Sequence, residues 1–133
     1  MSSLQPGLHG VAEAVVSEAT TAQAMGSGLV PVFATPAVVA LVERAAVAAV
    51  GPALAPGQTT VGVHVDLRHL AATPVGMAVR GEATLTAVEG RRLTFAVAAY
   101  DEVEKIAEGT HQRVVVDEAR FMAGVAKKSS PES

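Results

Sequence analysis

Three polar residues stand in apolar surroundings where their side chains could do chemistry. Glu43 lies in the middle of a stretch rich in alanine and valine. Its neighbours three and four residues away, which share its face of a helix, are all apolar: Val39, Ala40, Ala46 and Val47. A carboxylate in such a place needs a partner. Glu43 either forms a structural pair with a hydrogen-bond donor of the core, or it acts as an acid or base or as a substrate anchor. The pattern favours neither interpretation over the other.

The other two polar residues, Thr35 and His69, stand at the ends of predicted elements. His69 continues the apolar face of an alternating segment and comes just before a turn. A lone histidine there is more often a satisfied core or edge residue, but strand ends that open into loops are common places for sites. Thr35 precedes Pro36 and is predicted to be a helix N-cap, where a hydroxyl would also lie near any bound oxyanion or phosphate.

Weaker candidates are Gly62 and Arg113. Gly62 interrupts an alternating strand, which indicates either close approach by a ligand or partner or a β-bulge. Arg113 could reach a phosphate or carboxylate, although a surface arginine is the commoner explanation.

His9 and His64 lie on polar or weakly patterned segments and are predicted to be solvated. The sequence contains no phosphate-cradling glycine loop, no metal-binding cluster and no nucleophile elbow, so no metal site is predicted.

One helix must position Thr35 and Glu43. Residues 35–50 begin with Thr-Pro and are followed by Gly51 and Pro52, which are typical start and stop signals. The segment is apolar almost all round, so other structure must enclose it. A membrane span is disfavoured because Glu43 and Arg44 stand at its centre, where each charge costs about 2.5–3.5 kcal/mol. We interpret it as a buried helix of a soluble protein.

Strands account for most of the remaining chain. A weak strand is predicted within residues 8–17, followed by a loop over 20–31, and four further strands over 60–70, 77–88, 91–100 and 106–116. In the first of these four, the odd positions from Val61 to His69 form one apolar face. Leu93, Phe95, Val97 and Ala99 form another. The order predicts an α+β fold in which an antiparallel meander of four strands packs against one helix.

Composition excludes several classes of function. The chain has 133 residues, 50% of them hydrophobic, and forms one domain over 1–126 with a solvated, disordered tail over 127–133. A net charge of −3 provides no basic surface for nucleic acid or anionic lipid. The absence of cysteine rules out disulfides, thiolate catalysis and cysteine-bound zinc. No secretory signal is visible at the N-terminus, so a cytoplasmic location is expected.

Five separated motifs give the chain a resemblance to a known family. They are VFATP at 32–36, LVE at 41–43, HLAATPVG at 69–76, EGRRL at 89–93 and GTHQR at 109–113. In this collinear order they resemble the fluoroacetyl-CoA thioesterase family of hotdog-fold proteins. The resemblance covers about residues 7–121.

The resemblance implies a hotdog fold, in which a curved antiparallel sheet wraps around one long central helix, and a homodimer or higher homo-oligomer with sites near the subunit interface. It also implies an acyl-CoA substrate, no cofactor beyond the CoA of that substrate, and hydrolysis at a site formed by Thr35, Glu43 and His69. Substrate contacts are implied for Gly62 and Arg113, and Phe33 is the aromatic residue beside the site.

The chain departs from the family in one place. Where fluoroacetyl-selective members resemble each other in a phenylalanine-bearing lid ahead of the threonine, residues 25–31 read MGSGLVP, and Phe33 is the only aromatic residue nearby. We therefore expect hydrolysis of a general short- or medium-chain acyl-CoA. The alternative is a non-catalytic acyl-CoA-binding or regulatory hotdog module, which would not need to keep all three polar residues. A dehydratase or hydratase is disfavoured because its paired aspartate and histidine are not seen.

Overall fold

A computed structural model describes residues 3–129 as a five-stranded antiparallel sheet packed around one long helix. The strands are β1 His9–Val15, β2 Gln58–His69, β3 Ala78–Glu89, β4 Arg92–Tyr100 and β5 Lys105–Asp117. The helices are α1 Ala22–Met25, α2 Thr35–Val50 and α3 Glu118–Ala126. Because α2 contacts β1, β2, β3 and β4, the sheet must curve around it, and the expected α+β fold with a central helix is confirmed.

The strand order is β1-β3-β4-β5-β2, so the predicted meander of four strands is wrong at one connection. β2 pairs with β5 along its length and does not pair with β3. The segment between β2 and β3 is therefore a crossover, and the meander consists of β3, β4 and β5 only. An alternating pattern identifies a strand but does not say which strand lies beside it, since many partners match the same period of two.

The core lies between one face of α2 and the inward face of the sheet. The predicted apolar face of β4 is confirmed, since Leu93, Phe95, Val97 and Ala99 are all buried. Half of α2 is buried against them: Ala37, Val38, Leu41, Val42, Ala45, Ala46, Ala49 and Val50. Close packing of α2 on β1 requires a glycine, because a Cβ atom on Gly10 would overlap the helix backbone at Ala45 and Ala49.

The opposite face of α2 is open in the single chain, which differs from the expected enclosure on most sides. Pro36, Ala40 and Ala48 are exposed, and Val47 is 47% exposed. The stretch Thr35–Ala53 is long and apolar enough to cross a membrane by length and composition. Its packing against the sheet identifies it instead as the core helix of a soluble fold.

The C-terminal helix α3 is an element that the sequence pattern did not predict. It follows β5 directly, and none of its residues is buried. Phe121, Met122 and Val125 are partly exposed on it. Of the tail that was expected to be disordered, residues 127–129 form a 3-10 turn and residues 130–133 lie outside the described residues.

Candidate active site

Thr35 and His69 form a hydrogen-bonded pair at the start of α2. Thr35 Oγ1 lies 2.7 Å from His69 Nδ1. The predicted N-cap role of Thr35 is wrong: the N-cap is Ala34, which makes no side-chain cap bond, and Thr35 is the first helical residue. Its hydroxyl is therefore not used by the helix end, and it is directed to the last residue of β2 instead.

The second nitrogen of His69, Nε2, is buried and has no hydrogen-bond partner among the described residues. Burial lowers the pKa of His69, and the backbone of Ala71 opposes this only in part. The imidazole is therefore neutral near pH 7, which is the state in which a ring nitrogen can accept a proton. An unpartnered buried nitrogen is costly unless something binds there, so Nε2 points to a place for substrate or water.

A cleft of about 370 Å³ opens beside this pair. Thr35, His69 and the buried Phe33 line it, together with small and aliphatic residues from 22–32 and 70–72. A larger cleft of about 680 Å³ lies at the ends of β3 and β4, but Arg80 and Lys105 on its wall are paired with Glu82 and Glu108. We place the candidate site at the smaller cleft because it combines apolar walls with a histidine whose Nε2 atom has no hydrogen-bond partner among the described residues.

Glu43 lies in a different polar cluster, formed where α2 faces β2 and β5. Its Oε2 atom accepts a hydrogen bond from Arg113 Nη1 at 3.3 Å and lies 3.9 Å from His111 Nε2. The Glu43 side chain is 37% exposed. Of the two interpretations left open by the sequence, the pairing with a donor is therefore present, and the partly exposed carboxylate can still meet a ligand.

Gly62 makes room for that carboxylate. A Cβ atom placed on Gly62 would lie 2.6 Å from Glu43 Oε2 and 3.2 Å from Arg113 Nη1. The predicted β-bulge is present, since the strand has a register shift between Gly62 and His64. A side chain also approaches the Gly62 backbone closely. That side chain belongs to the protein itself.

The same bulge reverses the inward face of β2. Thr60 is buried before it, while Val65 and Leu67 are partly buried after it, and Val63 is 49% exposed within it. The predicted continuous apolar face from Val61 to His69 is therefore wrong at its first half. A bulge adds one residue to a strand and so shifts the alternation by one position.

Arg113 is buried and makes four hydrogen bonds, so of its two predicted explanations the surface arginine is wrong and a carboxylate partner is present. Its Nε donates to Thr60 Oγ1 at 2.8 Å and its Nη2 to Thr60 O at 3.0 Å. Its Nη1 also lies 3.1 Å from His111 Nε2. Burial lowers the pKa of Arg113, and Glu43 opposes this shift, so the guanidinium stays charged beside the carboxylate.

His111 is a member of this cluster that sequence reasoning missed, although it stands in the GTHQR motif. It is completely buried, stacks on Phe95 with ring centroids 6.1 Å apart, and its Nδ1 lies 2.8 Å from His64 O. The signal that could have found it is its spacing, since residues two apart on a strand share a face and His111 must therefore lie beside Arg113. The side chains of His9 and His64 are exposed, as predicted.

The site residues thus form two separate groups within one chain. Thr35 pairs with His69, and Glu43 lies with Gly62 and Arg113. Eight residues separate Thr35 from Glu43 on α2, which corresponds to about 12 Å along the helix axis. Within residues 3–129 no group of three or more histidine, aspartate or glutamate side chains is arranged to hold a metal ion.

Fold and site together define a class. A curled antiparallel sheet around a central helix, with polar groups at the helix start, is the hotdog fold of the thioesterase superfamily. A superfamily member from Thermus thermophilus has the same fold, with a TM-score of 0.89 at 32% identity over 97% of this chain and 96% of that one.

The chain belongs to the fluoroacetyl-CoA-specific thioesterase family, whose family model matches residues 16–119. A fluoroacetyl-CoA thioesterase from Streptantibioticus cattleyicolor is 45% identical over 98 residues, which are 74% of this chain and 70% of that protein. A solved structure of a fluoroacetyl-CoA thioesterase superimposes with a TM-score of 0.88 at 37% identity, covering 94% of this chain and 97% of the other. The protein is therefore a thioester hydrolase.

Proposed function

We propose that the protein hydrolyses the thioester of a short- or medium-chain acyl-CoA to a free acid and CoA. The observation that carries the proposal is the Thr35–His69 pair, whose imidazole keeps Nε2 unpartnered beside an apolar cleft of about 370 Å³. That volume suits a short acyl group. The fluoroacetyl-CoA thioesterases to which the chain is related support an acyl-CoA substrate.

His69 is the proposed general base. It takes a proton from water, or from the Thr35 hydroxyl, as the oxygen attacks the thioester carbonyl. The tetrahedral intermediate then collapses, the carbon–sulfur bond breaks, and the CoA thiolate takes the proton from the imidazolium. If Thr35 is the nucleophile, water releases the acyl group in a second step. A backbone N–H at the start of α2 or near Gly62 is the proposed donor to the oxyanion.

Glu43 has two proposed roles, which differ in chemistry. It either orients the attacking water or attacks the carbonyl itself, in which case a transient anhydride forms and water hydrolyses it. Incorporation of ¹⁸O from labelled water into the Glu43 side chain during turnover tests for the anhydride. Label in the carboxylate supports an anhydride that water opens at the Glu43 carbonyl. Unlabelled Glu43 after many turnovers excludes that route only, because water attack at the acyl carbon would return the carboxylate unlabelled.

We further propose that each site combines two chains of a homodimer, with Thr35 and His69 from one and Glu43 from the other. About 12 Å of helix separates Thr35 from Glu43 within one chain. The exposed face of α2 and the free edge of β2 are surfaces that a second copy would cover. Phe33 and Gly62 would then face the acyl group from opposite sides.

Mixing two inactive variants tests this arrangement. If the site spans two chains, a hybrid of Thr35→Val and Glu43→Gln chains contains one site in which both residues are intact. Activity should then return on subunit exchange, up to about half of the wild-type activity per hybrid dimer. Lack of recovery, with hybrids demonstrated by mass spectrometry, would contradict a shared site.

The substrate preference follows from the residues that border the cleft. Residues 25–31 carry exposed Met25, Leu29 and Val30, and Phe33 is the one phenylalanine on the wall. We propose that fluoroacetyl-CoA has little advantage over acetyl-CoA. The proposed setting is cytoplasmic, with no metal, nucleic acid or membrane partner.

The deciding experiment measures free thiol release from acetyl-, fluoroacetyl-, butyryl- and hexanoyl-CoA by the wild type, Thr35→Ala, Glu43→Gln and His69→Ala. Hydrolysis that all three substitutions abolish or greatly slow supports the proposal. Binding of CoA esters without turnover would instead support the non-catalytic binding module. A strong preference for fluoroacetyl-CoA would overturn the proposed substrate range.

A further inference from the structure

We propose that His111 is a positioning residue, which keeps the Arg113 guanidinium against Glu43 by accepting a hydrogen bond at its neutral Nε2 atom. The proposal rests on the proposed function of Glu43. It assigns a role to a buried histidine whose contacts are with His64, Arg113, Glu43 and Phe95.

The tautomer of His111 follows from its partners. A backbone carbonyl can only accept a hydrogen bond, so Nδ1, which lies 2.8 Å from His64 O, must carry the proton. In the neutral ring Nε2 is then an acceptor, and its neighbour at 3.1 Å is Arg113 Nη1, which can only donate. The two contacts agree on a single neutral tautomer.

This tautomer completes the fixation of Arg113. Thr60 holds the guanidinium at Nε and Nη2, and His111 holds it at Nη1 from the other side. The same Nη1 group donates to Glu43 Oε2 at 3.3 Å. The position of the carboxylate thus depends on Nη1, and that of Nη1 depends on a histidine acceptor. With four hydrogen bonds to Thr60, Glu43 and His111, the Arg113 guanidinium is a support for Glu43.

Protonation of His111 would remove this support. An imidazolium has no acceptor, and its Nε2–H would face the N–H groups of a cation at 3.1 Å. The charged groups that face the ring are Arg113 on β5 and Glu43 on α2, while Phe95 on β4 covers it and the side chain of His64 on β2 is exposed. Burial lowers the pKa of His111, with the His64 backbone opposing and Arg113 reinforcing the shift.

Two substitutions separate the two nitrogens of the ring. In His111→Gln the side-chain oxygen can stand near the place of Nε2 and accept from Arg113. In His111→Asn the amide nitrogen can stand near the place of Nδ1 and bond His64 O, but nothing reaches Arg113. If His111 only links β5 to β2, His111→Asn should keep more of the wild-type kcat than His111→Gln. If His111 positions Arg113, His111→Gln should keep more.

The kinetic test compares both variants with the wild type at pH 7.5, with folding checked by thermal unfolding. We expect kcat of His111→Asn to fall about 10- to 100-fold, as for loss of a hydrogen bond to a charged group, with KM little changed. His111→Gln should keep kcat within about fivefold of the wild type. Equal kcat in all three proteins, or a loss confined to KM, would overturn the proposal.

A pH profile supplies a readout that a structural role would not move. In the wild type, protonation of either His69 or His111 causes loss of activity, whereas in His111→Gln only His69 titrates. The decrease of log kcat with falling pH should therefore be steeper in the wild type than in His111→Gln. Identical limbs would contradict the role of His111.

Nitrogen NMR tests the tautomer without any activity. Long-range ¹H–¹⁵N spectra of the wild type at pH 7.5 should show His111 protonated at Nδ1 only, and protonation at Nε2 would overturn the proposal. If the wild type hydrolyses no acyl-CoA, the proposed function fails while the tautomer can still be confirmed. If it hydrolyses them and the two variants do not differ, the role of His111 alone fails.

Discussion

Substitution of Gly62 by alanine is the smallest change that should displace Glu43. The new Cβ atom would lie 2.6 Å from Glu43 Oε2, whereas ordinary contacts begin at 3.4 Å, so the oxygen must retreat by about 0.8 Å. Because Oε2 is already 3.3 Å from Arg113 Nη1, such a shift would break or redirect that hydrogen bond. A displacement of about 1 Å in a catalytic group can cost about 100-fold in rate.

We therefore expect Gly62→Ala to lower kcat about 10- to 100-fold. The free energy of unfolding should change by only about 1 kcal/mol, since the far end of a partly exposed side chain can move. Thiol release from acetyl-CoA gives the rate, and urea unfolding gives the stability. Gly124→Ala is the matched control, because a Cβ atom there meets nothing within 4 Å.

A double-mutant cycle decides whether the effect passes through Glu43. If it does, Gly62→Ala should add little to the loss already caused by Glu43→Gln, since residues in contact are not additive. A wild-type rate for Gly62→Ala, or the same fold loss in both backgrounds, would refute an effect through Glu43. The second result would mean that alanine acts independently of Glu43, by displacing Arg113 or by obstructing the substrate or the oxyanion.

Three further predictions concern Thr35, His69 and His111. Thr35→Ser should keep most of the wild-type kcat, while the nearly isosteric Thr35→Val should lose about 100-fold or more in thiol release, because only the hydroxyl can bond His69. Since the pKa of His69 is lowered, the base stays active as the pH falls through 6.5; an acid limb of kcat/KM centred above 6.5 would contradict this. Because the pKa of His111 is lowered in the folded protein, His111 of the unfolded chain binds a proton at higher pH than His111 of the folded chain. The free energy of unfolding should therefore decrease as the pH falls from about 6.5 toward the pKa of His111 in the folded protein. The decrease should be less steep in His111→Gln. Urea unfolding at pH 5.0 to 7.5 measures this slope, and equal slopes would refute it.

Local pattern was sufficient for the helix and for the positions of the strands. The Thr-Pro start and Gly-Pro stop placed α2 at residues 35–50, and alternation placed β4 within a residue of its observed bounds. Pairing was not predictable in this way, because β2 could satisfy its alternation beside either β3 or β5. The helix α3 was not predicted, although its apolar residues Phe121, Met122 and Val125 stand at helical spacing.

The candidate site shows the same division between local and long-range information. Glu43 and His69 were found because each is a polar residue in an apolar pattern, which is visible from immediate neighbours. Thr60, His111 and the engaged state of Arg113 were not found, because their meeting depends on the pairing of β2 with β5 and on a bulge that turns Thr60 inward. The bulge itself was only one of two explanations of Gly62.

Long-range pairing also explains why the environment of Arg113 could not be predicted from its residue type alone. An arginine at a strand position is usually solvated, since its burial is costly without several partners. Here β2 brings the Thr60 hydroxyl and carbonyl, α2 brings a carboxylate, and β5 itself brings His111 two residues away. The cost of burying the charge is thus offset by four acceptors from three elements. Such an arrangement constrains the orientation of Glu43 more tightly than a single ion pair would, because moving the carboxylate leaves a buried donor unsatisfied.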